Sequence, residues 1–498
     1  MSIIYNFPAL SVVFAMLTGI LSSAFKKDGS RKLTMIALTI INLMNICALV
    51  FCIRTGQSYT YTMGQIPSPW GNEFRFGILE TLMAVFVGVL EQLILIGGMK
   101  HIRTEVEDSK QNLYFLMSNL LLSSLLALIY TNDIFTAYVF VEINTIAAAG
   151  LIVIAQKGRT IVAGLRYMIM SLIGSGLLLF GLCILYDVTG HLLMEPCHQA
   201  IVQIFETGSS YETPLLVAIG LIGVGLCIKS ALFPFSSWVP DAYGSSIAPS
   251  AAILSSLVSK GYIFLLIKIC WRVIGYNYID RFHMIDIFYV LGVVAMIIGS
   301  VNAIWETDIR RMIAYSSVAQ IGYIYMGLGM GTELGVIAAS FHIISHGVTK
   351  ALLFLATSDL SDASDRGRTF PQLRGAGLRN LPAGLTFAVG AMSMVGVPLL
   401  AGFTSKLLFA EAALDDNMVY TTITLIALAV STVLNVVYFL RTVITIYTPD
   451  EHHWEVGEVH ASRSNLTVSV IMIALNVVLG VGAVPIVNLI TRGIEMFG

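Results

Sequence analysis

About fourteen runs of roughly 18 to 25 mostly apolar residues follow one another along this chain, each long enough for a helix to cross the ~30 Å hydrocarbon core of a bilayer. Lipid offers no hydrogen-bonding solvent, so a spanning segment must satisfy its own backbone, and these runs are expected to be helices. They fall near 3–25, 33–54, 76–98, 112–131, 133–155, 164–186, 215–244, 249–270, 285–304, 312–331, 334–356, 382–414, 419–447 and 465–490. With 56% hydrophobic and 12% charged residues, the chain lies beyond the roughly 45–50% apolar share of soluble domains. The expected fold is an all-α polytopic membrane protein. The connections between runs, the polar segment Ser358–Asn380 included, are too short for a soluble module, so residues 1–498 read as a single membrane domain. The first run has no basic segment before it and no cleavage site after it, which marks it as a retained span.

Loop lysines and arginines set the expected orientation. One side carries Lys26, Lys27, Arg31, Lys32, Lys157, Arg159, Arg310, Arg311, Arg366, Arg368, Arg374 and Arg379, while the connection holding Glu195, Glu206 and Glu212 has neither Lys nor Arg. The basic side is expected in the cytoplasm, with both termini outside a cytoplasmic membrane. No basic block suggests nucleic acid. The six cysteines form no CxxC pair, and there is no GxGxxG or Walker sequence, so no cofactor or metal is expected in this chain. Its partners are expected in the membrane, as lipid and as other subunits.

Two regions are interrupted. Over 217–268, Lys229 precedes Pro234 and Pro240, and Lys260 falls midway along the next apolar run. The second, LTFAVGAMSMVGVPLLAGFTSKLLFAEAAL, is broken at Gly396, Pro398 and Gly402 and resumes around Lys406. Matching breaks in two halves point to inverted repeats around a mid-membrane ion site. Two inverted five-helix repeats are expected, over 112–270 and 285–447, each with one broken helix and flanked by helices within 1–98 and 465–490.

A lysine at the centre of a bilayer costs about 2.5 to 3.5 kcal/mol, so several at depth argue for a polar path. Lys260 lies ~15 Å from either end of its helix, beyond the reach of its own side chain. In the fifth span Glu142 is central and Asp133 terminal. An isolated carboxylate at that depth needs a proton or a cation, and Lys229 is the expected partner. His342, His346 and Lys350 recur at i, i+4 and i+8 and line one helix face. Glu91 is deep in the third span without an evident partner. Beyond Lys406, Glu411, Asp415 and Asp416 offer outer acceptors. Glu142, Lys229, Lys260, His346, Lys350 and Lys406 therefore read as a proton relay, with Asp133, His342, Glu91 and Glu411 in auxiliary places. Moving Glu142 toward or away from Lys229 would switch the lysine between holding and releasing its proton.

The runs KSALFPFSSWVPDAYGSSIAPSAAILSSLVSKGY, ETDIRRMIAYSSVAQIGYIYMG, FHIISHGVTKALLFL and PLLAGFTSK occur in that order. Together they resemble the antiporter-like subunits of respiratory complex I, membrane-bound hydrogenases and multisubunit Na+/H+ antiporters, over about residues 75–450. The length resembles the medium-sized, D-type members. The resemblance implies that Glu142 and Lys229 are the family's acid–lysine pair and Lys260 its connecting lysine. His346 and Lys350 become its central polar axis, and Lys406 its exit residue, a position held by lysine or glutamate in different members. Gln320 departs from the histidine of many members, and Glu306 from their glutamine.

The implied function is translocation of H+, or of H+ against Na+, driven through partner subunits of a hydrogenase or NADH/quinone oxidoreductase complex, with no catalytic or redox site here. The alternative is a multisubunit Na+/H+ antiporter driven by the proton gradient. A solute permease fits the broken helices but not the linear string of long polar side chains, and a non-transporting scaffold fits poorly with so many costly charges. If proton exchange rather than charge is what matters at residue 260, Lys260→Arg fails to support transport, because guanidinium keeps its proton below about pH 12. Proton uptake by proteoliposomes checks this, and an active arginine variant refutes it.

Overall fold

The computed structural model describes residues 3–66, 71–208, 210–414, 418–449 and 463–497. Helices α1 (Phe7–Ala24) and α2 (Lys27–Thr55) lead into β1 (Tyr59–Thr62), which pairs antiparallel with β2 (Glu73–Phe76) so that Tyr59 lies opposite Phe76. Then come α3 (Ile78–Gly97), the short α4 (Met99–Glu105), α5 (Gln111–Tyr130), α6 (Ile134–Val153), α7 (Gly158–Thr189), the amphipathic α8 (Met194–Thr207), α9 (Glu212–Ser230) and α10 (Val239–Ser245). Helices α11 (Ala248–Ile253) and α12 (Ser259–Lys268) are joined by a π-helical turn, Leu254–Val258, into one crossing that runs on to Ile274. The rest is α13 (Met284–Trp305), α14 (Ile309–Gly329), α15 (Glu333–Asp362), a single turn α16 (Ala376–Arg379), α17 (Leu381–Val395), α18 (Ala401–Leu414), α19 (Met418–Tyr447), α20 (Arg463–Val481) and α21 (Ala483–Glu495). Twelve helices among the described residues are long and apolar enough to cross a membrane. The other two expected runs, 312–331 and 382–414, are α14 and the α17–α18 pair.

Both expected interruptions are present and are closed the same way. Helix α9 ends on Ala231 in the left-handed region (φ 67°), and the Leu232 amide donates back to the Cys227 carbonyl at 3.0 Å. Helix α17 ends on Gly396 (φ 94°), and the Val397 amide donates to the Met392 carbonyl, also at 3.0 Å. Both are six-to-one closures of the Schellman type. After the first, Pro240 sits at the start of α10, where an N–H would be unused. Helix α9 starts near the connection that lacks lysine and arginine, whereas α17 starts just after Arg379 on the arginine-rich face. The two breaks are therefore approached from opposite sides, as inverted repeats require.

Two helix pairs pack backbone to backbone. A Cβ on Gly225 of α9 would stand 2.7 Å from the Gly174 carbonyl of α7, and one on Gly322 of α14 would stand 2.6 Å from the Gly292 carbonyl of α13. Dispersion between close backbones is what holds helices together in lipid, where tails are as apolar as leucine.

At the arginine-rich face, Asp308 caps α14 by accepting from the amides of Arg310 and Arg311 at 2.9 and 3.2 Å. Nearby, buried His101 of α4 places Nε2 3.3 Å from Asp359 of α15 and Nδ1 3.5 Å from Glu105. Asn465 of α20 donates to the other Asp359 oxygen, and Lys100 bridges to Asp362 at 2.6 Å. Burial alone would push the His101 imidazole down, but the hydrogen bonds to Asp359 and Glu105 and the Asp359 charge outweigh it and raise it to about 9. A raised folded value means that this group's stabilisation is complete below its unfolded value of about 6.5 and is lost as the pH climbs through about 9. Between those limits the thermal inactivation temperature of the purified protein should fall, and His101→Gln should flatten that fall. Equal slopes in the two proteins would contradict the assignment.

Candidate ion path

The candidate path begins in the middle of α6. Glu142 faces the last turn of α9, where the Lys229 ammonium lies 3.4 Å from Oε1 and donates to Thr145 Oγ1 at 2.6 Å; Ser175 of α7 donates to the same Glu142 oxygen. The pair is lopsided. The Lys229 side chain is 0% exposed, whereas that of Glu142 is 30% exposed on the flank of the chain. The ammonium also stands 5.9 Å from the centre of the Tyr262 ring, a contact that favours the cation. Tyr262 donates to Asn144 Oδ1 at 3.0 Å, and Asn144 donates to Ser124 at 2.9 Å, so buried hydroxyls and amides link Lys229 to the helix carrying Lys260.

Lys260 has no acid beside it. Its ammonium turns back along its own helix, donating to the Ser255 carbonyl in the π-turn and to Ser259 Oγ at 3.2 Å. A π-turn shifts the register of backbone hydrogen bonds and leaves a carbonyl free for another donor. The π-turn packs against the central stripe of α15, since a Cβ on Gly347, between His346 and Lys350, would stand 3.2 Å from the Ser256 carbonyl.

The stripe is as the spacing implies, with all three residues buried on one face of α15. The two imidazoles stack in parallel, 5.5 Å apart. His342 Nδ1 lies 2.5 Å from Ser405 Oγ, while its Nε2 and both His346 nitrogens have no hydrogen-bond partner. Lys350 donates to the Ile313 carbonyl at 2.9 Å and to Ser316 of α14. Between α15 and the second break lies a cavity of ≈ 10 Å³ bordered by Gln320, His342, His346, Ser393, Gly402 and Lys406. That is about one water in size, with unpartnered nitrogens around it. Lys406 itself donates to the Val395 carbonyl at 2.7 Å and to Thr432 at 2.9 Å.

The auxiliary residues separate. Asp133 caps α6 by accepting from the Thr136 amide at 2.6 Å, a structural duty at the end of the helix. His342 belongs to the stripe. Glu91 is buried with one oxygen on Ser118 Oγ at 2.6 Å and the other unpartnered. Glu411 is exposed on α18, and Asp415 and Asp416 lie outside the described residues.

Sequence reasoning missed three features. Lys268, two turns beyond Lys260, is fully buried and donates to the carbonyls of Leu128, Ile129 and Thr131, closing the end of α5. Arg272 is paired inside the protein with Glu80 and donates to the Phe497 carbonyl at 3.0 Å. Thr145 is the third. The signal for the first two was present, as cations at the end of an apolar run and just past it, but position near a span end favoured exposure.

The family model for the membrane region of NADH:quinone oxidoreductase and Mrp antiporter proteins matches residues 131–434, from the Glu142 helix past Lys406. The chain belongs to this family. It is 32% identical over 405 residues to NADH-quinone oxidoreductase subunit N of Desulforudis audaxviator, covering 80% of this chain and 77% of that one. Against the D subunit of the Na(+)/H(+) antiporter of Alkalihalophilus pseudofirmus the identity is 26% over 434 residues, covering 85% and 83%. Among solved structures, a chain of the archaeal membrane-bound sulfane sulfur reductase superposes with a TM-score of 0.88 at 25% identity, covering 100% of this chain and 98% of that one. A chain of the Mrp complex from Dietzia sp. DQ12-45-1b has the same fold, with a TM-score of 0.85 at 20% identity and coverage of 99% and 97%.

The geometry separates the two acids of α6. Glu142→Gln should cut ion transport at least tenfold by removing the charge opposite Lys229. Asp133→Asn should leave most of it, because asparagine also caps helices. Transport by the reconstituted complex, normalised to assembled protein, checks this; equal losses would contradict the pairing.

Proposed function

We propose that this chain is a proton-translocating, or Na+/H+-exchanging, subunit of a multisubunit membrane complex, and that Glu142, Lys229, Lys260, His346, Lys350 and Lys406 carry the proton across the middle of the membrane. One observation carries the reading. Four of these lysines and histidines, the buried Lys260, His346 and Lys350 and the half-buried Lys406, have no carboxylate at contact distance among the described residues, and the three lysines rest on carbonyls and hydroxyls. Arg272, by contrast, is matched by the Glu80 carboxylate. Cations on neutral acceptors can lose a proton without stranding an opposite charge.

In this reading residues 112–270 and 285–447 are the two repeats, each supplying one lysine near a break. Lys229 takes up or releases its proton as Glu142 approaches or withdraws, and Lys260 passes the change to the stripe. Moving one charge against 100 mV takes about 2.3 kcal/mol, which the chain obtains from sister subunits. The similarity to subunit N of the oxidoreductase favours a redox-driven partner, and the similarity to the antiporter's D subunit supports a gradient-driven one. The same reading puts the arginine-rich face in the cytoplasm and both termini outside.

Lys406 tests the exit. Lys406→Glu should keep part of the activity, since a carboxylate is titratable at the same place. Lys406→Leu should abolish it, because the Val395 carbonyl and the small cavity lose their proton carrier. Acidification by the reconstituted complex measures both, and a leucine variant that still pumps would move the exit elsewhere. Identifying the other subunits of the native complex tells the two driving forces apart.

A further inference from the structure

One buried carboxyl has no part in the path above. Glu91, on α3, is nearly inaccessible, and its Oε1 accepts from Ser118 Oγ of α5 at 2.6 Å while Oε2 has no partner. No lysine, arginine or histidine forms an ion pair with it among the described residues. An unpaired charge at this depth is expensive, so a purely structural Glu91 would be better replaced by glutamine or leucine. Its surroundings are equally incomplete. The hydroxyls of Tyr114 on α5, Ser250 on α11 and Ser256 in the π-turn are likewise without a hydrogen-bond partner among the described residues. Buried polar groups normally find protein or water partners, so these four atoms around α3, α5 and α11 are free to hydrogen-bond to water.

Their depths form a ladder. At the arginine-rich face a polar cavity of ≈ 670 Å³ is bordered by His101, Thr104, Glu105, Ser245, Arg310 and Asp362. Ser250 lies five residues beyond Ser245. Tyr114 lies one turn past Gln111, whose side chain closes the adjoining loop by donating to the Val106 carbonyl at 3.2 Å. Ser118 is one turn deeper than Tyr114. The end of α3 abuts the start of α11, since a Cβ on Gly98 would stand 2.3 Å from Pro249 Cγ. From that shared level, Glu91 is seven residues down α3 and the Ser255 carbonyl, which holds the Lys260 ammonium, is six residues down α11, both about 10 Å at 1.5 Å per residue. Glu91 and the Lys260 ammonium therefore sit at one depth. Helices α3 and α15 and the π-turn also meet at Gly347, where a Cβ would touch the Phe86 ring at 2.4 Å and the Ser256 carbonyl at 3.2 Å.

We propose that Glu91 is the loading residue that takes protons from the arginine-rich face and delivers them to Lys260. The inference rests on the reading of the chain as a proton translocator and adds its uptake branch. A proton from water in the cavity passes over the Ser250 and Tyr114 hydroxyls, each giving up one proton as it receives another, to the free Oε2 of a Glu91 carboxylate. From the neutral acid it moves to the unprotonated Nζ of Lys260, and the carboxylate is restored. Glu91 touches neither Lys229 nor Glu142, so this branch joins the path at its middle.

The test uses the whole complex in liposomes, normalised to assembled protein. Wild-type proton transport is read first; if it is absent while the complex turns over, the reading of the chain as a translocator fails, and this inference falls with it. Given wild-type transport, Glu91→Gln keeps the side-chain shape and can still accept from Ser118, and should slow uptake at least tenfold, with Glu91→Asp restoring part. Tyr114→Phe removes a hydroxyl that makes no hydrogen bond, so it should leave thermal stability unchanged and still slow uptake severalfold. Wild-type transport in Tyr114→Phe or in Glu91→Gln would overturn the proposal. An infrared difference spectrum of the wild-type complex supplies a readout that a structural carboxyl would not move: the carboxylic-acid C=O band, shifted in Glu91→Asp, should bleach and recover during turnover. A band that stays constant would likewise overturn it.

Discussion

The contact on which the rest of this structure depends is an ammonium resting on a helix carbonyl. A lysine removed from water must replace three hydrogen bonds, and inside a helical bundle the available acceptors are hydroxyls and whatever carbonyls the helices leave free. Lys260 finds its carbonyl in a π-turn, Lys406 at the end of a broken helix and Lys268 at the terminus of α5. For these three, the irregularities that weaken the helices are the features that make a buried lysine tolerable. Lys350 instead rests on the Ile313 carbonyl and the Ser316 hydroxyl within the unbroken α14.

The same irregularities need a stiff frame. Backbone contacts at Gly174 with Gly225 and at Gly292 with Gly322 lock the neighbouring helices of each half, so the breaks are held by packing that does not itself give way. The two breaks end in the same six-to-one closure, although one half uses glycine and the other Ala231. The backbone thus agrees at the two breaks where the side chains do not.

Much of the candidate site's placement was legible in the sequence because lipid makes misplacement of charge so costly. A lysine in mid-span has few options, so Lys229, Lys260, Lys350 and Lys406 could be expected to turn inward from their positions alone, and the i, i+4, i+8 spacing was enough to align His342 and His346 with Lys350. What escaped was set by three-dimensional partnership. Lys268 and Arg272 lie late in their crossing, where a long side chain ordinarily reaches water, and only the packing of α3, α5 and the final residues turns them inward. Asp133 adds a duty that the sequence reading did not assign, since its side chain caps α6.

The uneven burial of the first ion pair has a consequence for assembly. Lys229 is sealed, but Glu142 opens onto the flank of the chain. A bilayer cannot solvate a carboxylate there, so the wall of the path is unfinished in a single copy of this chain. Whatever neighbouring protein closes that flank becomes part of the chemistry, because the groups it presents to Glu142 set how firmly the acid holds Lys229. A neighbour could then govern this chain by its electric field at one residue, with no mechanical stroke passing between them.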